Sequence, residues 1–187
     1  MDAGSNFKNI HQELIDGCRL LRPESQLEVY RIYYKSMYNT AFRMLRHSAE
    51  AEDIMQESFL KAFTKIDTYQ NEVSFGAWLK RIVVNTCLDK MRQHKMELSE
   101  ADKFPDIEDD SPEIDCDESI TVDCIKRCIE MLPEGSRVVA NLYLIEGYDH
   151  DEIAEILEIS NSASRTQLHR AKLKLAELIK EKQKIDI

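Results

Sequence analysis

The chain has 187 residues, enough for one or two domains that each bury their own core. With 43% hydrophobic and 32% charged residues, and only 5 Gly and 4 Pro, it reads as a soluble, helix-rich protein. No run approaches the roughly 18 apolar residues of a membrane span and the first residues are polar, which excludes membrane insertion and predicts a cytoplasmic protein.

The formal net charge of −10 argues against nucleic-acid binding only until it is located. Residues 98–123 hold eleven carboxylates against Lys103 alone, so the other 161 residues balance at 24 acids and 24 bases. The flanking segments therefore keep room for basic faces. The five cysteines (Cys18, Cys87, Cys116, Cys124, Cys128) are odd in number and form no CxxC. They read as reduced thiols; a zinc site built from Cys116, Cys124 and Cys128 with His150 or His169 is the alternative.

In chain order, Ile10 to Leu21 is a first amphipathic stretch, and Glu24 to Lys35 follows Pro23, which suits a helix start. Tyr38 to Leu45 continues at helical spacing. Ser48 precedes a long helical stretch with Glu50, Glu52 and Asp53 at its positive end and Ile54, Met55, Phe59, Ala62, Phe63 and Ile66 at a period near 3.6. After a break at Asp67 to Val73, Ser74 opens a helix with Phe75, Trp78, Leu79, Ile82, Val83 and Thr86 on one stripe. Residues 98–118, with Pro105 and Pro112 and almost no apolar period, predict a flexible acidic linker between an N-terminal domain (1–97) and a C-terminal domain (119–187).

Beyond it come helices from Ile120 to Met131 and from Gly135 to Ile145, the latter stopped by Gly147. Asp149 with Glu152 predicts a capping box for a short helix through Leu157, and Ser160 caps a last long helix to about Lys182. No convincing strand appears, so the fold class is all-α. A short helix, a tight turn and a longer helix with basic residues near its start make a helix-turn-helix. Leu168, Ala171, Leu175 and Leu178 would hold the last helix to its domain. Arg165, His169 and Lys172 lie on another face, where Arg and Lys reach guanine edges or phosphates. A solvated basic face is the competing explanation.

In the first domain, Asp53, Gln56 and Glu57 form a polar flank suited to docking on a basic partner. The loop Tyr69, Gln70, Asn71, Glu72, Val73, Ser74 precedes the aromatic-rich helix, and Tyr69 is the residue expected to stack on a single-stranded base. Phe75 and Trp78 read as packing residues. Arg81, Asn85 and Arg92 share a flank away from the stripe; a solvated face explains the arginines equally well, whereas Asn85 is a poor helix-interior residue without a local reason.

The segments AEDIMQESFLKAF (51–63), SFGAWLKRIVVNTCLDKMR (74–92) and LPEGSRVVANLYLIEGYDHDEIAEILEISNSASRTQLHRAKLKL (132–175) together resemble the extracytoplasmic-function sigma factors of the sigma-70 family. The resemblance implies a region-2 domain that binds the clamp helices of core RNA polymerase and reads the −10 element. It also implies a region-4 domain that binds the polymerase flap and reads the −35 element. Carried over, Asp53, Gln56 and Glu57 face the clamp, and the loop Tyr69 to Ser74 receives a flipped-out base of promoter DNA with Arg81 and Asn85 near it. Ser160, Ser162, Arg165, Gln167, His169 and Lys172 approach the −35 groove. An anti-sigma factor is an implied partner.

The chain departs from the family pattern at Glu158, where Gly is usual; at Asn161-Ser162-Ala163-Ser164, which replace Val-Gly-Thr-Val; and at Gln167, where a basic residue is common. A stand-alone helix-turn-helix regulator would need a dimerisation helix, which the sequence does not offer. An enzyme would need ligand spacing among the histidines or a Gly-rich phosphate loop, and neither is present. The sequence therefore predicts no enzyme, no cofactor and no catalytic or metal residues.

Overall fold

The structure, a computed structural model, describes residues 10–98 and 121–185. All the regular elements among them are helical. Chain contacts separate two units, with the boundary after Ser99. The predicted linker, residues 98–118, lies almost entirely outside the described residues.

The first unit contains α1 (Gln12–Arg19), α2 (Pro23–Leu45), α3 (Ser48–Thr64), a 3-10 turn at Ile66–Thr68 and α4 (Phe75–Leu98). Pro23 supplies a fixed φ where no helical N–H is needed. The stretches Glu24–Lys35 and Tyr38–Leu45 form one helix. Neither Gly nor Pro interrupts them, and Met37, 1% exposed, carries the buried stripe across the join. α2 stops only at Arg46, which takes a left-handed φ of 62°. α3 begins one residue earlier than expected: Nδ1 of His47 accepts the Glu50 N–H at 3.3 Å, so His47 is the cap and Ser48 the first helical residue.

Helices α2, α3 and α4 pack on one another. Their interior holds Val29, Ala41 and Met44 from α2, Ile54, Met55 and Phe59 from α3, and Phe75, Leu79 and Val83 from α4. Each large apolar side chain buried this way contributes on the order of 1.5–3 kcal/mol. α1 lies on α2 at close approach, since a Cβ at Gly17 would overlap the Ser25 side chain.

The second unit contains α5 (Val122–Glu130), α6 (Glu134–Ala140) running into a wider π-helical segment (Asn141–Glu146), α7 (His150–Leu157) and α8 (Asn161–Ile185). Gly147, at φ 81°, ends the π segment. The predicted capping box is present: Asp149 accepts the Asp151 and Glu152 N–H groups while Glu152 accepts the Asp149 N–H. Ile153, Ile156, Leu168, Ala171, Leu175 and Leu178 are buried, and Ile129, Leu132 and Ile179 join α5 and α8 in one cluster.

Cys18, Cys87 and Cys128 are fully buried and Cys124 is half-buried. Burial pushes the Cys87 thiol up to about 12 and raises that of Cys18, so at pH 8 neither supplies much thiolate. Among these four, native alkylation at pH 8 is expected to label Cys124 first, with Cys18 and Cys87 reacting only after denaturant is added. Peptide mapping by mass spectrometry checks this order; rapid native labelling of Cys87 would contradict the packing of α4. Among the described residues no group of three His, Cys, Asp or Glu side chains converges on a metal position.

Candidate nucleic-acid interface

On α3 the buried residues leave one flank to solvent. Asp53, Gln56 and Glu57 are all exposed, and Glu57 Oε1 lies 2.8 Å from Lys61 Nζ. Lys61 also donates to Thr86 Oγ1 of α4 at 3.3 Å. Leu60, 69% exposed, continues this flank one turn after Gln56 and Glu57. A large apolar side chain in a polar stripe is the signal in the sequence that marks it.

The loop between the 3-10 turn and α4 is built from the inside. Tyr69 is 2% exposed, and its ring meets Phe75 edge-on at 5.4 Å and Trp78 at 5.3 Å. Its hydroxyl donates to the Val73 carbonyl at 2.7 Å. The expectation that Tyr69 stacks on a base is therefore corrected: packing takes up its ring faces, and the residue shapes the loop from beneath. Burial beside Tyr69 also raises the Tyr33 phenol above its ordinary range. Arg19 of α1 donates to the Tyr69 carbonyl at 2.8 Å across 50 residues of sequence, a brace with no local signature.

Asn71 turns the loop with a φ of 59°, a conformation asparagine tolerates. Its Oδ1 is buried with no hydrogen-bond partner among the described residues. Gln70, Glu72 and Val73 are exposed, while Ser74 Oγ accepts the Ala77 N–H and so caps α4. Arg81 and Asn85 are exposed on α4, one turn apart.

In the second unit α7 ends at Glu158, whose left-handed φ of 57° costs a non-glycine residue about 1 kcal/mol. Ser160 Oγ accepts the Ala163 N–H and caps α8 as expected. Ser162 and Arg165 are exposed, and Lys172 is half-buried. His169 is half-buried too, with Nδ1 enclosed and lacking a hydrogen-bond partner among the described residues.

Gln167 is not on the outer face. It is 8% exposed and accepts a hydrogen bond from Ser136 of α6 at 2.9 Å. The expectation that it contacts DNA is corrected: it joins α8 to α6. Tyr143, Asp149, His150, Asp151, Arg165, Leu168 and Lys172 line a cleft of about 280 Å³ beside the start of α8. Within it the His150 ring stacks on Tyr143 at 4.7 Å, and His150 Nδ1 lies 2.9 Å from Ser164 Oγ.

A capped short helix, a left-handed turn and a long helix with an exposed arginine in its second turn define a DNA-binding helix-turn-helix, here in a chain with a second, distinct helical unit. Residues 29–96 match the family model of Sigma-70 region 2, and residues 122–175 that of Sigma-70, region 4. The ECF RNA polymerase sigma factor SigW of Bacillus subtilis (strain 168) is 31% identical over 161 residues, covering 78% of this chain and 83% of SigW. SigE of Mycolicibacterium smegmatis (strain ATCC 700084 / mc(2)155), also an ECF RNA polymerase sigma factor, is 30% identical over 158 residues, covering 81% of this chain and 60% of SigE.

The fold is similar to that of the sigma factor RpoE solved with the anti-sigma factor NepR from Bartonella quintana, with a TM-score of 0.56, 21% identity, and 82% of this chain and 95% of that chain covered. The chain belongs to the ECF RNA polymerase sigma factors of the sigma-70 family, which bind core RNA polymerase and direct promoter-specific transcription initiation.

Proposed function

We propose that the two units divide initiation between them. The first docks on the polymerase clamp through Asp53, Gln56, Glu57 and Leu60 and takes a −10 base at the Gln70 to Ser74 loop, with Arg81 and Asn85 on the adjoining helix. The second reads the −35 element through the start of α8, with Arg165, Lys172, Ser160, Ser162 and His169 as the groove-side set. The observation that carries this reading is the pairing of region 2 and region 4 in one chain, with an exposed acidic flank on one and an exposed arginine at a helix-turn-helix on the other. Reconstituted transcription with core polymerase tests it: promoter-specific transcripts that require this chain are expected, and failure to bind core would overturn the reading.

Such a protein acts in the cytoplasm and catalyses nothing itself. No described helix is long and apolar enough to cross a membrane. An anti-sigma factor is a fitting further partner, since the relative of similar fold was solved with one. The two bases on α8 should separate by effect. A bidentate arginine to guanine discriminates by about 1–3 kcal/mol, whereas a lysine on phosphate adds affinity and salt dependence for every sequence. Arg165→Ala is expected to relax preference across a panel of −35 variants, and Lys172→Ala to weaken all of them alike. Unchanged preference with Arg165→Ala would mean a merely solvated face.

A further inference from the structure

The start of α8 is tied to the start of α7 by a chain of polar contacts that ends on Arg165. Asp151 Oδ1 accepts from Asn161 Nδ2 at 2.6 Å, and Asn161 Oδ1 accepts from Arg165 Nε at 2.8 Å. The two amide contacts also settle which end of Asn161 is which: the NH2 faces the carboxylate and the oxygen faces the guanidinium, with no alternative assignment that keeps both bonds. We propose that Asn161 and Asp151 are positioning residues that set the direction of the Arg165 guanidinium, and through it the base preference of this chain at the −35 element.

An exposed arginine ordinarily samples many rotamers and loses that freedom when it docks on a base. Anchoring Nε to Asn161 removes part of the search before DNA arrives and leaves bidentate recognition of guanine N7 and O6 to the terminal nitrogens. The anchor is itself held from behind by a carboxylate on the other helix, so it does not swing with α8 alone.

Asn161 belongs to the segment that departs from the family pattern, as does Ser164, the partner of His150. The departures thus coincide with the contacts that tie the two helices, and Gln167, which also departs, turns inward to Ser136. Of these residues, Asn161 bonds Arg165 directly.

This inference depends on Arg165 reading the −35 element, and the test separates the two. Full-length protein with core polymerase is assayed on promoters carrying each of the four base pairs at every −35 position, at several salt concentrations. Arg165→Ala is expected to flatten preference at one position about 10-fold. Asn161→Ala is expected to flatten the same position by about 3- to 10-fold, with little change in salt slope. Combined with Arg165→Ala, it should add nothing further at that position. Asp151→Asn, whose amide oxygen still accepts from Asn161, should retain preference, whereas Asp151→Ala should lose it. If Arg165→Ala changes no preference, the −35 reading itself fails. If Arg165→Ala flattens a position and Asn161→Ala does not, or if their losses simply add, the positioning role is overturned. Circular dichroism melts of each variant exclude unfolding as the cause.

Discussion

Replacing Phe75 with alanine is expected to cost the first unit about 3–5 kcal/mol, the range for losing a fully packed aromatic side chain. Phe75 is 1% exposed and meets three rings, Tyr33 at 5.5 Å, Tyr69 at 5.4 Å and Trp78 at 5.4 Å. Its removal leaves a cavity where α2, α4 and the loop come together. Tyr69 loses the surface it packs on, and with it the hydroxyl contact that fixes the loop at Val73. Stability and −10 reading should therefore fall together.

The chain contains one tryptophan, Trp78, at this cluster, so its fluorescence follows the unfolding of the first unit alone. A urea titration should show the Trp78 transition moved to markedly lower denaturant. Circular dichroism, which reports the helices of both units, should then show a second transition, that of the second unit, at its wild-type midpoint. An unmoved fluorescence midpoint would mean that the cluster contributes little and that Arg19 and the helix packing hold the loop.

The parts of this fold that a sequence reveals are those written within a turn or two of chain. The capping box of Asp149 and Glu152 and the Ser160 cap follow from side chains three residues apart, and both are present. The inward stripe Leu168, Ala171, Leu175 and Leu178 follows from helical period. The resemblance implies a groove-side Gln167, but the buried face of α8 is wider than its apolar stripe and takes this residue in. Ser164, at 0% exposure, and Gln167 lie on that face because His150 and Ser136 supply their hydrogen bonds, which offsets the cost of burying them.

Tyr69 also lies deeper than its place in the chain suggests. An aromatic residue in a loop reads as available, and only the fold shows that Phe75 and Trp78 occupy its faces. The unbroken α2 is a plainer case: the sequence has no breaker at Ser36 and Met37, and the helix runs through them. The residues proposed for polymerase and −10 contact rest on family motifs more than on physics. Nothing local distinguishes an acidic flank that docks from one that is merely hydrated.

Glu57→Lys separates those two possibilities. In the free protein Glu57 is half exposed and pairs with Lys61 at i, i+4, so reversing its charge exchanges a screened attraction for a screened repulsion. Such exposed pairs are worth roughly 0.2–0.5 kcal/mol on a helix, and the fold should not notice. At an interface the balance differs. Like charges brought together by docking cost several kcal/mol once water is displaced, and the penalty falls on the complex alone. Core polymerase affinity is therefore expected to drop by about 10-fold or more, with the loss shrinking as salt rises over the range where the Debye length falls from about 10 Å towards 3 Å.

Glu57→Gln, which removes the charge without reversing it, should give an intermediate loss. Fluorescence anisotropy of labelled protein titrated with core polymerase reads all three affinities, and thermal melts confirm that the free proteins are alike. Leu60→Ala serves as an uncharged companion. It removes apolar area from the same flank and should weaken binding without a salt dependence of its own. Wild-type affinity in both Glu57→Lys and Leu60→Ala would place this side of α3 outside the polymerase contact and leave its carboxylates as a solvated face.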